Sequence, residues 1–195
     1  IGEGGSYYHK VLRVEGSPNS THIVFLHDSL KYHKNYQKFG MQLSRELNHI
    51  EELHFIDFPG HGLSPGTRFS IENQKTLSLV LLDLLTKLQN KKVLWFADGM
   101  GASALLLLSL QKPRSVNPED KLILLNPFLY PTHILPNYLE QRVSPPLTDL
   151  RLPKKYYKAG LEDYKNDFLV GQNLTFKLWT ILWEMHVGLK DFSYF

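Results

Sequence analysis

The sequence has 195 residues, contains no cysteine and carries a formal net charge of +3 at pH 7. The lack of cysteine excludes disulfide bridges, cysteine nucleophiles and thiolate metal sites, and the scattered basic residues predict a solvated surface rather than a nucleic-acid site. A chain of this length predicts one domain with a sizeable core, and its apolar runs are too interrupted to predict a membrane span.

The first part of the chain predicts strands that alternate with helices. Residues 6–16 have the alternating pattern of a short strand, and residues 22–29 form an apolar strand bounded by polar residues. Apolar residues recur at helical spacing over residues 35–47. Residues 53–66 are typical of a strand that runs into a Gly- and Pro-rich loop.

The middle of the chain continues this alternation. Ser70 is the expected N-cap of the next helix, with Glu72 in its first turn and an apolar stripe ending at Leu88. A strand over residues 91–97, a helix that is apolar nearly all round and a further strand over residues 120–128 follow.

The order of these elements predicts the fold class. The strands between residues 22 and 128 are apolar runs rather than alternating ones, which favours an α/β fold: a mostly parallel sheet with helices on both faces. The sequence then becomes rich in proline and aromatic residues, with helical patterns over 155–169 and 173–190. We therefore expect a core over residues 1–130 and a cap-like helical segment over residues 131–195, in one domain.

Three motifs occur in an order that points to a known family. A strand ends at His27, the loop D-F-P-G-H-G-L-S follows at residues 57–64, and a strand turns into a helix at Gly99. This order resembles the α/β-hydrolase family, which has an H-G motif, a D-x-x-G-H-G-x-S loop and a nucleophile elbow. Residues 166–185 resemble the cap of a small, often mitochondrial, esterase-like branch. The resemblance implies a three-layer α/β-hydrolase-like fold with a helical cap-like C-terminal region.

The elbow motif of that family is degenerate here. Alignment places Ala97 at the small position, Asp98 at the variable one and Gly99 at the nucleophile, followed by Met100 and Gly101. The serine is absent, and glycine easily adopts the positive φ that this turn requires. A shift of one residue would make Asp98 the nucleophile, as in the dehalogenase and epoxide-hydrolase branches. In the shifted alignment, bulky side chains would flank the nucleophile where the family has small ones, and this favours the first alignment.

The other catalytic groups expected from the resemblance are also altered. His27 is followed by Asp28 where the family has glycine, and an anionic side chain there would oppose a developing oxyanion. The family's acid and histidine come after the cap, whereas this sequence ends at Phe195; His133 and His186 come too early in the order. We expect no catalytic residue and no bound cofactor.

Two other classes of site have partial signals in the sequence. Residues 99–104 fit the dinucleotide-loop pattern G-x-G-x-x-A, but the acidic pair Glu119 and Asp120 precedes a strand, whereas a ribose ligand should follow one. The histidines lack metal-ligand spacing, and His22 and His27 are predicted to point to opposite faces of a strand. The sequence predicts neither a nucleotide site nor a metal site.

These patterns lead to a functional hypothesis. Without later strands, the apolar strand near residue 122 would be a sheet edge, and the last helix is apolar over much of its circumference. We expect an inactive α/β-hydrolase-like protein that serves as a structural or accessory subunit of a larger assembly. The candidate interface residues are Leu122, Leu124, Phe176, Trp179 and Trp183.

Two alternatives stay open at this point. One is an active esterase or acyl hydrolase that uses no serine or is completed by a partner chain, and the other is a module that binds a lipid or acyl ligand in the former pocket. The cap resemblance, the basic pI near 8.9 and the start at Ile1 rather than methionine lead us to expect a mitochondrial location, or otherwise a cytoplasmic one.

Overall fold

A computed structural model describes residues 6–14, 21–47, 49–127, 167, 169 and 176–191. These residues form a five-stranded sheet and four α-helices. The strands are β1 (Tyr8–Arg13), β2 (Thr21–Leu26), β3 (Ile50–Asp57), β4 (Lys92–Asp98) and β5 (Lys121–Leu125). The helices are α1 (Lys34–Glu46), α2 (Gln74–Lys87), α3 (Gly99–Gln111) and α4 (Phe176–Asp191). None of these helices is long and apolar enough to cross a membrane.

The sheet has the strand order β1-β3-β2-β4-β5. Only β1 runs antiparallel to its neighbour, and the other three pairs are parallel. This arrangement confirms the mostly parallel α/β sheet that the apolar runs predict. Because β2 and β4 are parallel neighbours, the loops at their carboxyl ends lie side by side.

Helices cover both faces of the sheet. Successive residues of a strand point to opposite faces, so Ile23 and Phe25 pack with Tyr36 of α1, whereas Val24 and Leu26 pack in a second cluster. The second cluster also contains the buried side chains of α2, α3 and α4. The result is three layers, with α1 on one face and the other helices opposite.

The start of α2 differs from the sequence prediction. The helix begins at Gln74, and its N-cap is Asn73, whose side chain accepts a hydrogen bond from the backbone N–H of Thr76 at 3.0 Å. The prediction that Ser70 is the N-cap is wrong because residues 57–70 belong to the preceding loop, where the N–H of Ser70 donates to the carbonyl of Thr67. No acidic residue lies in the first turn.

The last helix is part of the core. Its buried apolar residues lie against the α2 and α3 layer, and they are Leu178, Ile181, Leu182, Met185 and Leu189. A hydrogen bond of 2.5 Å from the Tyr32 hydroxyl to Asp167 joins the cap-like segment to the loop after β2. The predicted helix over residues 155–169, and most of the proposed 131–195 segment, lie outside the described residues.

Candidate functional site

The connection from β4 to α3 is a sharp strand-to-helix turn. β4 ends at Asp98, and Gly99 begins α3 with a φ of 49°, in the left-handed region that favours glycine. The helix packs tightly on β2, since a Cβ atom at Gly101 would lie 2.8 Å from the Cβ atom of Leu26. The N–H of Gly101 also donates to the carbonyl of His27 at 3.2 Å.

The carboxylate of Asp28 fills the space beside this turn. Its Oδ1 atom accepts hydrogen bonds from the backbone N–H of Ser29 at 2.7 Å and from that of Met100 at 3.1 Å. A Cβ atom on Gly99 would collide with this same side chain, closer than 3 Å to three of the Asp28 atoms. The Asp28 side chain therefore fills the space that a side chain at residue 99 would need. It also accepts hydrogen bonds from two backbone N–H groups beside the turn.

Asp98 is held on the other side of the turn. Its Oδ2 atom accepts hydrogen bonds from Lys31 Nζ and from the Tyr36 hydroxyl, both at 2.7 Å. Burial and the neighbouring Asp98 charge raise the pKa of Tyr36, which keeps this hydroxyl protonated as a donor. The backbone of Asp98 is extended, with φ −121° and ψ 140°, so it is Gly99 that takes the left-handed conformation.

His27 ties the ends of β2 and β3 together. It is fully buried, with Nδ1 2.7 Å from the carbonyl oxygen of Asp28 and Nε2 2.9 Å from the backbone nitrogen of Phe58. Because the Phe58 N–H must donate, Nε2 is the acceptor, and the Nδ1–H then donates to Asp28. Burial lowers the pKa of His27 to about 3, so the ring is neutral and both nitrogens are in use.

The loop at residues 57–64 closes around a buried carboxylate. Asp57 accepts hydrogen bonds from the backbone N–H of His33 at 2.6 Å, from His33 Nδ1 at 2.7 Å and from the N–H of Leu63 at 2.8 Å. Burial alone would raise the pKa of Asp57, but the hydrogen bonds from His33 and Leu63 hold it below its usual value. Ser64 donates its hydroxyl to the carbonyl of Asp57. The hydrogen bonds of Asp57 and Ser64 therefore stabilise the loop.

Other polar residues near the turn also have structural partners. The hydroxyl of Ser103 donates to the carbonyl of Gly99 at 3.1 Å, within the first turns of α3. His186 is buried on α4, with its ring 5.4 Å from that of Trp183. His133 lies outside the described residues.

The acidic pair of the dinucleotide pattern is far from the glycine turn. Asp120 accepts hydrogen bonds from the backbone N–H of Val93 and from the indole N–H of Trp95, near the start of β4. A cleft of about 530 Å³ opens beside these residues, again at the end of β4 away from Gly99. Asp120 therefore lies at the wrong end of the sheet to bind a ribose whose phosphates would contact Gly99.

The candidate interface residues fall into three groups. Leu122 on β5 exposes 38% of its surface, as do Ile123 and Leu125 to similar extents. Leu124 and Trp183 are partly buried and pack against the core. Phe176 and Trp179 belong to α4, but their side chains lie outside the described part of the structure.

The structure also brings together a group that sequence reasoning missed. His22, Glu52 and His54 place one ligand atom each within 4.8 Å of one another. They lie on β2 and β3, about 30 positions apart in the chain, so no local spacing pattern signals them. The signal in the sequence is a set of polar residues on each of the two strands, which becomes a cluster only once the strand register is known.

The arrangement has counterparts among known proteins. A family model described as "Serine aminopeptidase, S33" matches residues 17–186. The chain is similar to the monoacylglycerol lipase of Paleococcus ferrophilus, with 20% identity and a TM-score of 0.72 over 95% of this chain and 72% of the lipase. It is also similar to a peroxisomal alpha-beta-hydrolase of Saccharomyces cerevisiae, with 18% identity and a TM-score of 0.51 over 64% of this chain and 39% of that protein.

No curated protein matches the sequence. At these sequence identities, the similarity to solved structures shows a shared fold and does not indicate a substrate. Together with the family model, they confirm the resemblance drawn from the three ordered motifs.

Proposed function

Because the chain belongs to the serine aminopeptidase S33 family of α/β hydrolases, we propose that it is a catalytically inactive member serving as an accessory subunit of a larger protein assembly. The observation that carries this proposal is the position of the Asp28 carboxylate. In active members, the nucleophile projects from the elbow, and two backbone N–H groups are positioned to donate to the substrate oxyanion. Here Gly99 has no side chain, and Asp28 accepts from the N–H groups of Ser29 and Met100.

The charge of Asp28 argues against acyl transfer at this elbow. Oxyanion holes work because their donors are aimed at a site where negative charge develops during the reaction. At this elbow the donors already hold a carboxylate, which would repel the charge of a tetrahedral intermediate. Any substrate carbonyl would have to displace that carboxylate first.

The geometry also weakens the alternative in which Asp98 is the nucleophile. A nucleophile at such an elbow sits at the strained position of the turn, whereas Asp98 is extended and precedes the left-handed residue. Its carboxylate is buried and held by Lys31 and Tyr36. This favours a structural role for Asp98.

Support for the accessory role is a surface feature. On β5, Leu122, Ile123 and Leu125 each expose 38–39% of their surface, which is consistent with a strand that pairs with or is covered by further polypeptide. A mitochondrial location belongs to the same proposal and rests on the cap resemblance and the basic pI.

The first experiment tests catalytic inactivity. Purified protein is assayed with p-nitrophenyl butyrate and with a monoacylglycerol, the latter because of the structural likeness to a lipase of that class. We expect hydrolysis no faster than that by the Asp98→Asn variant or by buffer. Turnover that disappears in Asp98→Asn would instead support the aspartate nucleophile, and turnover that survives in it would support another catalytic group.

The second experiment tests the accessory role. The native mass of the endogenous protein is measured in a mild extract by size separation with antibody detection, and mitochondria from the same cells are fractionated in parallel. Migration well above the mass that the same protein shows on a denaturing gel, with defined partner chains, supports the proposal. Migration as a monomer contradicts it, and native mass spectrometry of that monomer then tests whether an acyl ligand is bound.

A further inference from the structure

A cluster of histidines and glutamates lies across β2 and β3, at the opposite end of these strands from the Asp28 turn. In the parallel register, His22 pairs with Glu52 and Val24 pairs with His54. Since side chains alternate along a strand, His22, Glu52 and His54 emerge on the same face of the sheet. Both histidines are buried, whereas Glu52 keeps 15% of its side chain exposed.

The three facing atoms form a nearly equilateral triangle. His22 Nδ1 lies 3.0 Å from His54 Nε2, and Glu52 Oε2 lies 3.5 Å from the first nitrogen and 3.4 Å from the second. Zn²⁺ bonds to nitrogen and oxygen are about 2.0–2.1 Å long, so two ligands at the tetrahedral angle stand about 3.3 Å apart. The triangle therefore has the dimensions of one face of a tetrahedral zinc site.

Each of the three side chains is also oriented by a second contact. Arg13 Nε donates to Glu52 Oε1 at 2.9 Å, which leaves Oε2 directed at the histidines. His9 Nε2 lies 3.0 Å from the remaining ring nitrogen of His54, and Glu51 Oε2 lies 3.5 Å from the remaining ring nitrogen of His22. Metal-binding histidines commonly use the nitrogen away from the ion in this way, as a donor to a neighbouring acceptor.

His22 can present the Nδ1 lone pair to an ion. Its Nε2 atom is buried without a hydrogen-bond partner of ordinary length, and the nearest acceptor is Glu51 Oε2 at 3.5 Å. A proton on Nε2 faces this carboxylate and leaves the Nδ1 lone pair directed at the centre of the triangle, as metal binding requires.

We propose that His22 Nδ1, His54 Nε2 and Glu52 Oε2 bind one Zn²⁺ ion, with water as the fourth ligand. Each histidine would bind the ion as a neutral ring, with its proton on the nitrogen that faces away from the ion. The ion joins two adjacent parallel strands near their amino ends, where it holds β2 and β3 together. This site is independent of the elbow chemistry, because His27 and the elbow lie beyond the other end of β2.

The test uses tag-free protein that has been stripped with a chelator and then titrated with ZnCl₂ by calorimetry. We expect one Zn²⁺ per chain and a rise in Tm when the ion is added. Glu52→Gln keeps the side-chain size and should weaken Zn²⁺ binding at least about tenfold. Glu46→Gln, on the exposed end of α1, is the matched control and should bind as the parent protein does.

A second pair of variants distinguishes a lost zinc site from a misfolded protein. His54→Asn should lose Zn²⁺ binding, whereas His49→Asn, at an exposed position just before β3, should not. Circular dichroism of each chelated variant shows whether it is folded, and anomalous scattering at the zinc edge in crystals locates the ion. Equal Zn²⁺ affinity in Glu52→Gln and Glu46→Gln, or an ion located away from these three residues, would overturn the proposal and leave a hydrogen-bonded histidine chain.

Discussion

The carboxylate of Asp28 accepts a hydrogen bond from the backbone N–H of Met100, so that the loop after β2 caps the helix after β4. The first turn of a helix has unsatisfied N–H groups and a positive end, both of which favour a carboxylate. Asp98, the residue at the N-cap position of α3, makes no side-chain capping bond. The cap is therefore supplied by a residue 72 positions away, in the space where a catalytic side chain would project from residue 99.

This relationship predicts a stability cost when Asp28 is removed. Asp28→Ala should lower the free energy of unfolding by about 1–2 kcal/mol, the usual cost of losing a helix cap. Asp28→Asn keeps an acceptor for Met100 without the charge and should cost less. Urea denaturation of both variants measures the two values, and an unchanged midpoint in Asp28→Ala would contradict the capping role.

A side chain at position 99 should be destabilising for two reasons. Alanine tolerates a φ of 49° poorly, and its Cβ would collide with Asp28. Gly99→Ala should therefore cost about 2–4 kcal/mol, which is large for the addition of one methyl group. The matched control is Gly188→Ala, in the helical part of α4, where the nearest atom is the flexible end of Leu107.

The collision itself can be isolated with a double-mutant cycle. In an Asp28→Ala background, Gly99→Ala should cost less than in the parent protein, with a coupling energy of about 1 kcal/mol or more. The remaining cost reports the backbone strain alone. Strict additivity of the two substitutions would show that the Asp28 side chain does not occupy the space beside residue 99.

Asp57, the one carboxylate of the 57–64 loop, should be sensitive to substitution. Asp57→Asn replaces a fully buried anion with an amide whose NH₂ group must face donors from His33 and Leu63. We expect a loss of about 3 kcal/mol, because the buried N–H donors would be left without a charged acceptor. Chemical denaturation measures this loss, and limited proteolysis of the loop after β3 shows whether it opens. Asp83→Asn, at a partly exposed site on α2, provides the comparison.

The fold could be predicted from the sequence because its strands are apolar runs separated by turn residues. That pattern predicts the parallel sheet, and the resemblance to the α/β-hydrolase family places the elbow at Gly99 and the loop at Asp57. The sequence does not decide where α2 starts, because Ser70 and Asn73 are both good caps and only the packing of the preceding loop distinguishes them. The resemblance also predicts a conflict between Asp28 and an oxyanion, but no sequence pattern places that carboxylate against Gly99.

The histidine cluster was missed for a different reason. His22 and His54 become neighbours only through the register of β2 and β3, and a shift of one residue would send one of them to the opposite face. Single-sequence reasoning sets the faces within a strand, but it does not set the register between strands.

The buried histidines predict how stability depends on pH. The pKa values of His27 and His54 are lowered to about 3 in the folded protein, against an ordinary value of 6.5. Between pH 3 and pH 6.5 these histidines bind more protons in the unfolded chain than in the folded protein. Their effect leaves the free energy of unfolding highest above pH 6.5, and the free energy decreases as the pH falls toward 3. Each histidine contributes a slope of up to about 1.4 kcal/mol per pH unit.

Urea denaturation at a series of pH values in the presence of a chelator measures this slope. His54→Asn should reduce it, whereas the exposed-site variant His49→Asn should leave it unchanged. A free energy of unfolding that stays constant from pH 7 to pH 5 would show that these histidines are accessible to protons in the folded protein.

At the elbow of this chain, the Asp28 carboxylate stands in place of a nucleophile. Intact-protein mass spectrometry after incubation with a fluorophosphonate, and separately with an activated short-chain ester, tests it most directly. We predict that the purified protein keeps its unmodified mass under conditions that fully label an active serine hydrolase. A stoichiometric adduct that maps to residues 27–29 or 97–103 would contradict it, because it would place a working nucleophile at this turn.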